Sequence, residues 1–118
     1  MDGDSVSRLY TLAREVARRL PHSLDGGEPE RPAKLLAILA TALDAIGSNH
    51  WRLTDAQRVT TAVLQQSVRR LNGEGVSPAQ AVGLNHIVQE FLGVEEVNPA
   101  KRDEFYRRVG EIDECHQP

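Results

Sequence analysis

Ser77-Pro78-Ala79-Gln80, running on through Ala81, Leu84, Ile87, Val88, Phe91 and Leu92 to Gly93, is the stretch that decides the fold. A serine at the N-cap accepts a bond from a backbone N–H that has no partner inside the helix. A proline at the first helical position gives up a donor the helix does not use, and a glutamine at the third can reach back to the cap. Val76, just ahead of the cap, is placed to staple onto Ala81. The apolar residues then recur three and four apart, which is one face of a helix, and Gly93 supplies the left-handed conformation in which helices commonly end.

The same signals extend in both directions. Asn98-Pro99 repeats the start and predicts a fifth helix with Phe105, Val109 and Ile112 on its core face. Asp103 and Arg107, and Glu104 and Arg108, fall at the favourable i,i+4 spacing on its outside. Upstream, Asn72-Gly73-Glu74-Gly75 reads as a turn. Before it, Thr54 with Gln57 opens a third helix to about Leu71, whose stripe is Val59, Ala62, Val63, Val68 and Leu71. A second helix follows Pro32 and runs from Lys34 to Ile46, with Gly47 as its cap. It is apolar on nearly every side, a pattern expected of a buried helix. A first helix from Ser5 to Leu20 carries Val6, Leu9, Tyr10, Ala13, Val16, Ala17 and Leu20 on one stripe, and Pro21 is expected to stop it. No segment alternates like a strand. The expectation is therefore all-α: one domain over residues 1–118, a compact bundle of four to five short helices. Helices two (33–46) and four (78–92) are expected to be central, with residues 112–118 a disordered tail.

Composition agrees with packed helices. Of 118 residues 40% are apolar but only 4% aromatic, so the core must be aliphatic. The formal charge of −3 gives the whole chain no pull towards nucleic acid or an anionic membrane. A single cysteine, Cys115, excludes an intramolecular disulfide and fits a reducing compartment. Met1-Asp2-Gly3-Asp4 is acidic where a secretion signal would be basic. The longest apolar stretch, Leu35 to Leu43, is far below the roughly 20 residues that span a bilayer. These features point to a cytoplasmic protein with no membrane partner.

Chemistry-bearing motifs are sparse. The four histidines, His22, His50, His86 and His116, include no pair at i,i+3 or i,i+4, so no single helix offers two histidines to a metal. His86 and Glu90 stand one turn apart, a spacing common by chance. Glu111-Ile112-Asp113-Glu114-Cys115-His116 gathers ligand types at a terminus, where an ordered site is not expected. Gly26-Gly27 and Gly73-Glu74-Gly75 lack the Lys-Ser/Thr of a phosphate loop. No catalytic, metal or cofactor residue is assigned, and the chain is expected not to be an enzyme.

Two binding readings remain. In the first, the protein is an interaction or assembly subunit that joins a protein partner or a second copy of itself. The small face of helix two, Ala37, Ala40 and Thr41 with Asp44 beside it, would permit close helix approach. His50-Trp51-Arg52 has the residue types that anchor interfaces, although a lone tryptophan more often folds back to cap a core. In the alternative, helices three and four form a helix-turn-helix on nucleic acid. Arg58, Arg69 and Arg70 would then meet phosphates, and Gln80 and Asn85 would reach base edges. The acidic balance and a connection longer than the usual three or four residues argue against it.

Overall fold

Both capping boxes form in full. Gln80 donates its backbone N–H to Ser77 Oγ at 3.2 Å, and Ser77 donates its own to Gln80 Oε1 at 2.8 Å. The Thr54–Gln57 pair does the same at 3.2 and 2.9 Å. A computed structural model describes residues 2–114. They form α1 (Asp2–Ser23), α2 (Glu30–Ser48), a 3-10 turn (His50–Arg52), α3 (Asp55–Glu74), α4 (Pro78–Phe91) and α5 (Pro99–Glu114).

Several helix ends depart from the sequence reading, and the hydrogen bonds that close them are local. Pro21 lies inside α1. In the last turn it forfeits a single backbone bond, and Ser23 Oγ donates to Leu20 O at 2.6 Å beside it. Gly47 lies within α2, which ends instead at Asn49. That residue's N–H donates to Ile46 O and its Nδ2 to Ala45 O. The helix α3 absorbs Asn72-Gly73-Glu74 and stops at Gly75, whose φ of 96° ends the helical path. At the other terminus α5 continues through 112–114 of the expected tail, with Ile112 buried. Residues 115–118 of that tail lie outside the described residues.

The helices form a ring in cross-section. The first helix packs on α2 and α4, α2 on α3, and α4 on α5, while α3 and α5 meet only weakly. Thus α2 and α4 each lie between two neighbours, and α1 joins them. The whole measures 40 × 32 × 19 Å. Nineteen ångströms is about two helix diameters, so no helix can be covered all round. This is why α2 leaves Ala37, Ile38 and Thr41 open to solvent despite its apolar composition.

Leucines dominate the core, with Leu20, Leu39, Leu43, Leu64, Leu84 and Leu92 at most 1% exposed. The inward face of α3 is turned relative to its apolar stripe. Val59 is 41% exposed, whereas Gln57, Thr60, Thr61 and Ser67 are buried with Leu64, Val68 and Leu71. Thr60 Oγ1 donates to Ala56 O at 2.8 Å. A threonine whose hydroxyl is returned to its own helix packs outward as a methyl group.

The Tyr10 and Thr61 hydroxyls are buried near each other, and neither has a partner at normal hydrogen-bond geometry. Burial pushes the Tyr10 phenol above its ordinary titration range, with Arg14 and the Thr61 hydroxyl partly opposing. The neutral phenol is thus the form the fold prefers. Stability is unaffected by this group below the unfolded value of about 10 and falls as pH rises beyond it. Urea midpoints measured between about pH 9 and 11.5 should show this decline, and Tyr10→Phe should flatten part of it while changing little at pH 7.

Candidate interaction surfaces

The Trp51 corner is built by Arg58. Its Nε donates to His50 O and its Nη2 to Leu53 O, both at 3.0 Å, while Nη1 pairs with Asp55 at 3.0 Å. One guanidinium therefore clamps the 3-10 turn to the first turn of α3. On that platform Trp51 is 65% exposed, and its recorded ring contact is the edge of His50 at 5.3 Å. The commoner fate, an indole folded onto the core, is not what this chain does: Leu53 fills the core position instead.

Beside this corner lies the weak seam of the ring. Between α3 and α5 a cavity of about 270 Å³ is lined by Ala56, Val59, Thr60, Val97, Phe105 and Tyr106, with Asp55 and Arg102 also at its wall. Thr54 Oγ1 donates to Glu95 O at 2.7 Å, which brings the 92–98 loop against the start of α3. Glu95 and Glu96 are exposed on that loop.

A second apolar surface runs between α1 and α2. Leu9, Leu12, Ala37, Ile38, Thr41, Ala42 and Ala45 line it, and Leu12 and Ile38 are 43% and 44% exposed. Thr41 Oγ1 donates to Ala37 O at 2.9 Å, so the groove presents no free hydroxyl. Of the residues expected from the small face, Ala37 and Thr41 are in this groove and Ala40 is half-buried against the core. Asp44 faces α3, where it accepts from Gln65 Nε2 and Arg69, both at 2.9 Å. Leu12, Ile38, Val59 and Tyr106 were not marked by the sequence, because exposure of an apolar residue depends on which neighbour is missing.

The residues of the nucleic-acid alternative are mostly committed within the chain. Arg58 holds the turn, Arg69 pairs with Asp44, and Arg70 with Asp113 at 3.5 Å. Gln80 is 1% exposed and Asn85 accepts from Gln89. The connection between α3 and α4 is in fact short, Gly75 to Ser77, but the two helices are not among the principal packing pairs. Glu90 is likewise occupied: Arg108 holds its carboxyl below the usual range, with burial opposing and Lys101 assisting. Cys115 and His116 lie outside the described residues. Among the described residues no helix is long and apolar enough to cross a membrane. No family model, curated protein or solved structure matches the chain.

Proposed function

We propose that this chain is a non-enzymatic interaction or assembly subunit that engages another protein surface through the His50-Trp51-Arg52 corner, with the α1/α2 groove as a second apolar face. The observation that carries the reading is the exposure of Trp51 on a platform pinned by Arg58. A large aromatic left in water forgoes roughly 2–3 kcal/mol of burial, which a partner surface can recover. Holding it rigid in advance lowers the entropy lost on docking.

Trp51→Ala separates an interface role from a core role. Because the side chain is mostly solvated, its loss should move the melting temperature by no more than about 2 °C. The same variant should lose self-association in sedimentation velocity, or lose a protein that the wild-type chain captures from native lysate. Leu12→Ser with Ile38→Ser makes the same comparison for the groove. A Trp51→Ala protein that melts many degrees lower, with association and capture unchanged, would refute the proposal. The nucleic-acid alternative predicts instead a steeply salt-dependent shift of random duplex DNA.

A further inference from the structure

We infer that α5 is a hinged flap: it closes the ring of helices against α4, opens as one unit about residues 96–98, and uncovers α4 while α1 to α4 stay folded. The device is independent of the Trp51 corner. Three observations carry it.

The first is anchorage. Of the 16 residues of α5 only Phe105, Val109 and Ile112 are buried, whereas α2, α3 and α4 each bury six or seven. Phe105 meets Phe91 at 5.3 Å between ring centroids, and Ile112 packs against Gly83. The rest of the hold is polar. Gln80 Nε2 donates to Ile112 O at 3.0 Å, Glu90 pairs with Arg108 and Lys101, and Arg70 pairs with Asp113. Ion pairs that face water contribute little to holding two helices together. Closure also leaves Asp113 Oδ1 buried with no partner among the described residues, and opening returns it to water.

The second is the seat. Towards α3 the flap borders the 270 Å³ recess between Val59 and Tyr106. Towards α4 it borders another of about 230 Å³, where Ala79, Gly83 and His86 face Arg108 and Glu111. With a recess on either side, α5 rests on a narrow strip of α4. The packing of α3 on α2, α2 on α1 and α1 on α4 does not pass through it.

The third is the hinge. Leu92 O accepts from Arg14, Gly93 O from Gln57 Nε2 and Glu95 O from Thr54 Oγ1, which fixes the chain to α1 and α3 through residue 95. Downstream, Asn98 Oδ1 accepts the Lys101 N–H at 2.8 Å and starts α5. Between these two fixed points Glu96 and Val97 make no hydrogen bond among the described residues. A rotation there carries the whole helix and breaks no bond on either side of the hinge.

Amide hydrogen exchange of the full chain in increasing, sub-denaturing urea tests the flap, because a local opening and global unfolding differ in the surface they expose. After correction for intrinsic rates, the amides of 103–113 should exchange together, at least about thirtyfold faster than the slowest in α1 and α2, and with a weaker dependence on urea. Ile46→Val, a buried change in α2, should speed the slowest amides of α1 and α2 by about three- to tenfold and leave those of α5 unchanged. Glu90→Gln, which weakens the carboxylate shared by Lys101 and Arg108, should speed α5 by at least about threefold. Amides of α5 that share the rate and urea dependence of α1 and α2, and follow Ile46→Val with them, open only when the whole protein unfolds; that result overturns the inference. Exchange graded along α5, with residues 103–107 as protected as the core, is fraying rather than a flap and overturns it equally.

Discussion

Gly93→Ala should lower the melting temperature by about 10–15 °C, far more than a one-methyl change at a loop residue ordinarily does. Gly93 follows α4 at a φ of 83°, where a side-chain-bearing residue costs about 1–2 kcal/mol. An added Cβ would also stand 2.8 Å from an Arg14 guanidinium nitrogen and 3.2 Å from the Tyr10 ring. Arg14 is a flexible side chain, but it is not free to retreat, because its Nη2 donates to Leu92 O at 2.7 Å. Losing a charged donor from a part-buried carbonyl costs about a further 1.5–3 kcal/mol. The total is about 3 kcal/mol. Gly75→Ala isolates the first contribution: φ is 96°, yet nothing lies within 4 Å of the new Cβ, so about 1 kcal/mol is expected. Gly73→Ala, inside α3 with open space, should stabilise slightly. Thermal melts of the three proteins should therefore differ in sign as well as size. A Gly93→Ala loss no larger than that of Gly75→Ala would mean that Arg14 and Tyr10 are not held as described.

The contrast among these glycines shows where the sequence is informative. Helix starts are written locally: Ser77-Pro78 and Thr54 with Gln57 bind backbone groups within one turn, so their chemistry is visible without a fold. Helix ends are written less locally. Pro21, Gly47 and the Asn72–Gly75 run all look like stops, but α1, α2 and α3 pass through the first two and most of the third where packing and capping on neighbouring residues outweigh propensity. Gly93 reads as a cap from sequence; the helix is capped one residue earlier, at Leu92, and Gly93 takes its φ of 83° in the turn that follows, where its contact with Arg14, seventy-nine residues away in the chain, leaves no local trace.

The candidate surfaces follow the same division. Trp51, Ala37 and Thr41 could be named from residue type and helical position. Val59 and Tyr106 could not, because their exposure comes from the weak α3/α5 seam of the ring. That seam is a consequence of five helices closing around a slab two helices thick, and no window of sequence contains it. The Arg58 clamp was hidden for a related reason. An arginine near a helix start looks like a phosphate contact until the carbonyls of His50 and Leu53 are seen to accept its donors.

Gln80→Glu should destabilise the protein by about 3 kcal/mol at pH 7 even though it preserves the capping-box pattern. Glutamate serves as well as glutamine in an isolated box, since only an acceptor oxygen is required there. In this fold the amide has a second task. Gln80 Nε2 donates to Ile112 O at 3.0 Å in a site 1% exposed, and Ile112 lies in the last turn of α5, where carbonyls lack intrahelical partners. One side chain thus closes the start of α4 and the end of α5. Glutamate would set a carboxylate oxygen against that carbonyl, leaving a buried charge facing an acceptor. A protonated carboxyl could donate as the amide does, so the folded state would hold the proton more tightly than the unfolded chain. The deficit relative to wild type should then be largest at neutral pH and shrink as pH falls towards about 4. Gln80→Ala, which leaves Ser77 N–H and Ile112 O unpaired without a charge, should cost about 2 kcal/mol and show no such recovery. Gln57→Glu is the matching case at α3, because Gln57 Nε2 donates to Gly93 O at 3.0 Å; its greater exposure should make the loss smaller. Denaturant midpoints of the Gln80 variants at pH 7 and 4.5 decide the matter: a Gln80→Glu deficit that is small or independent of pH would show that the bond to Ile112 contributes little.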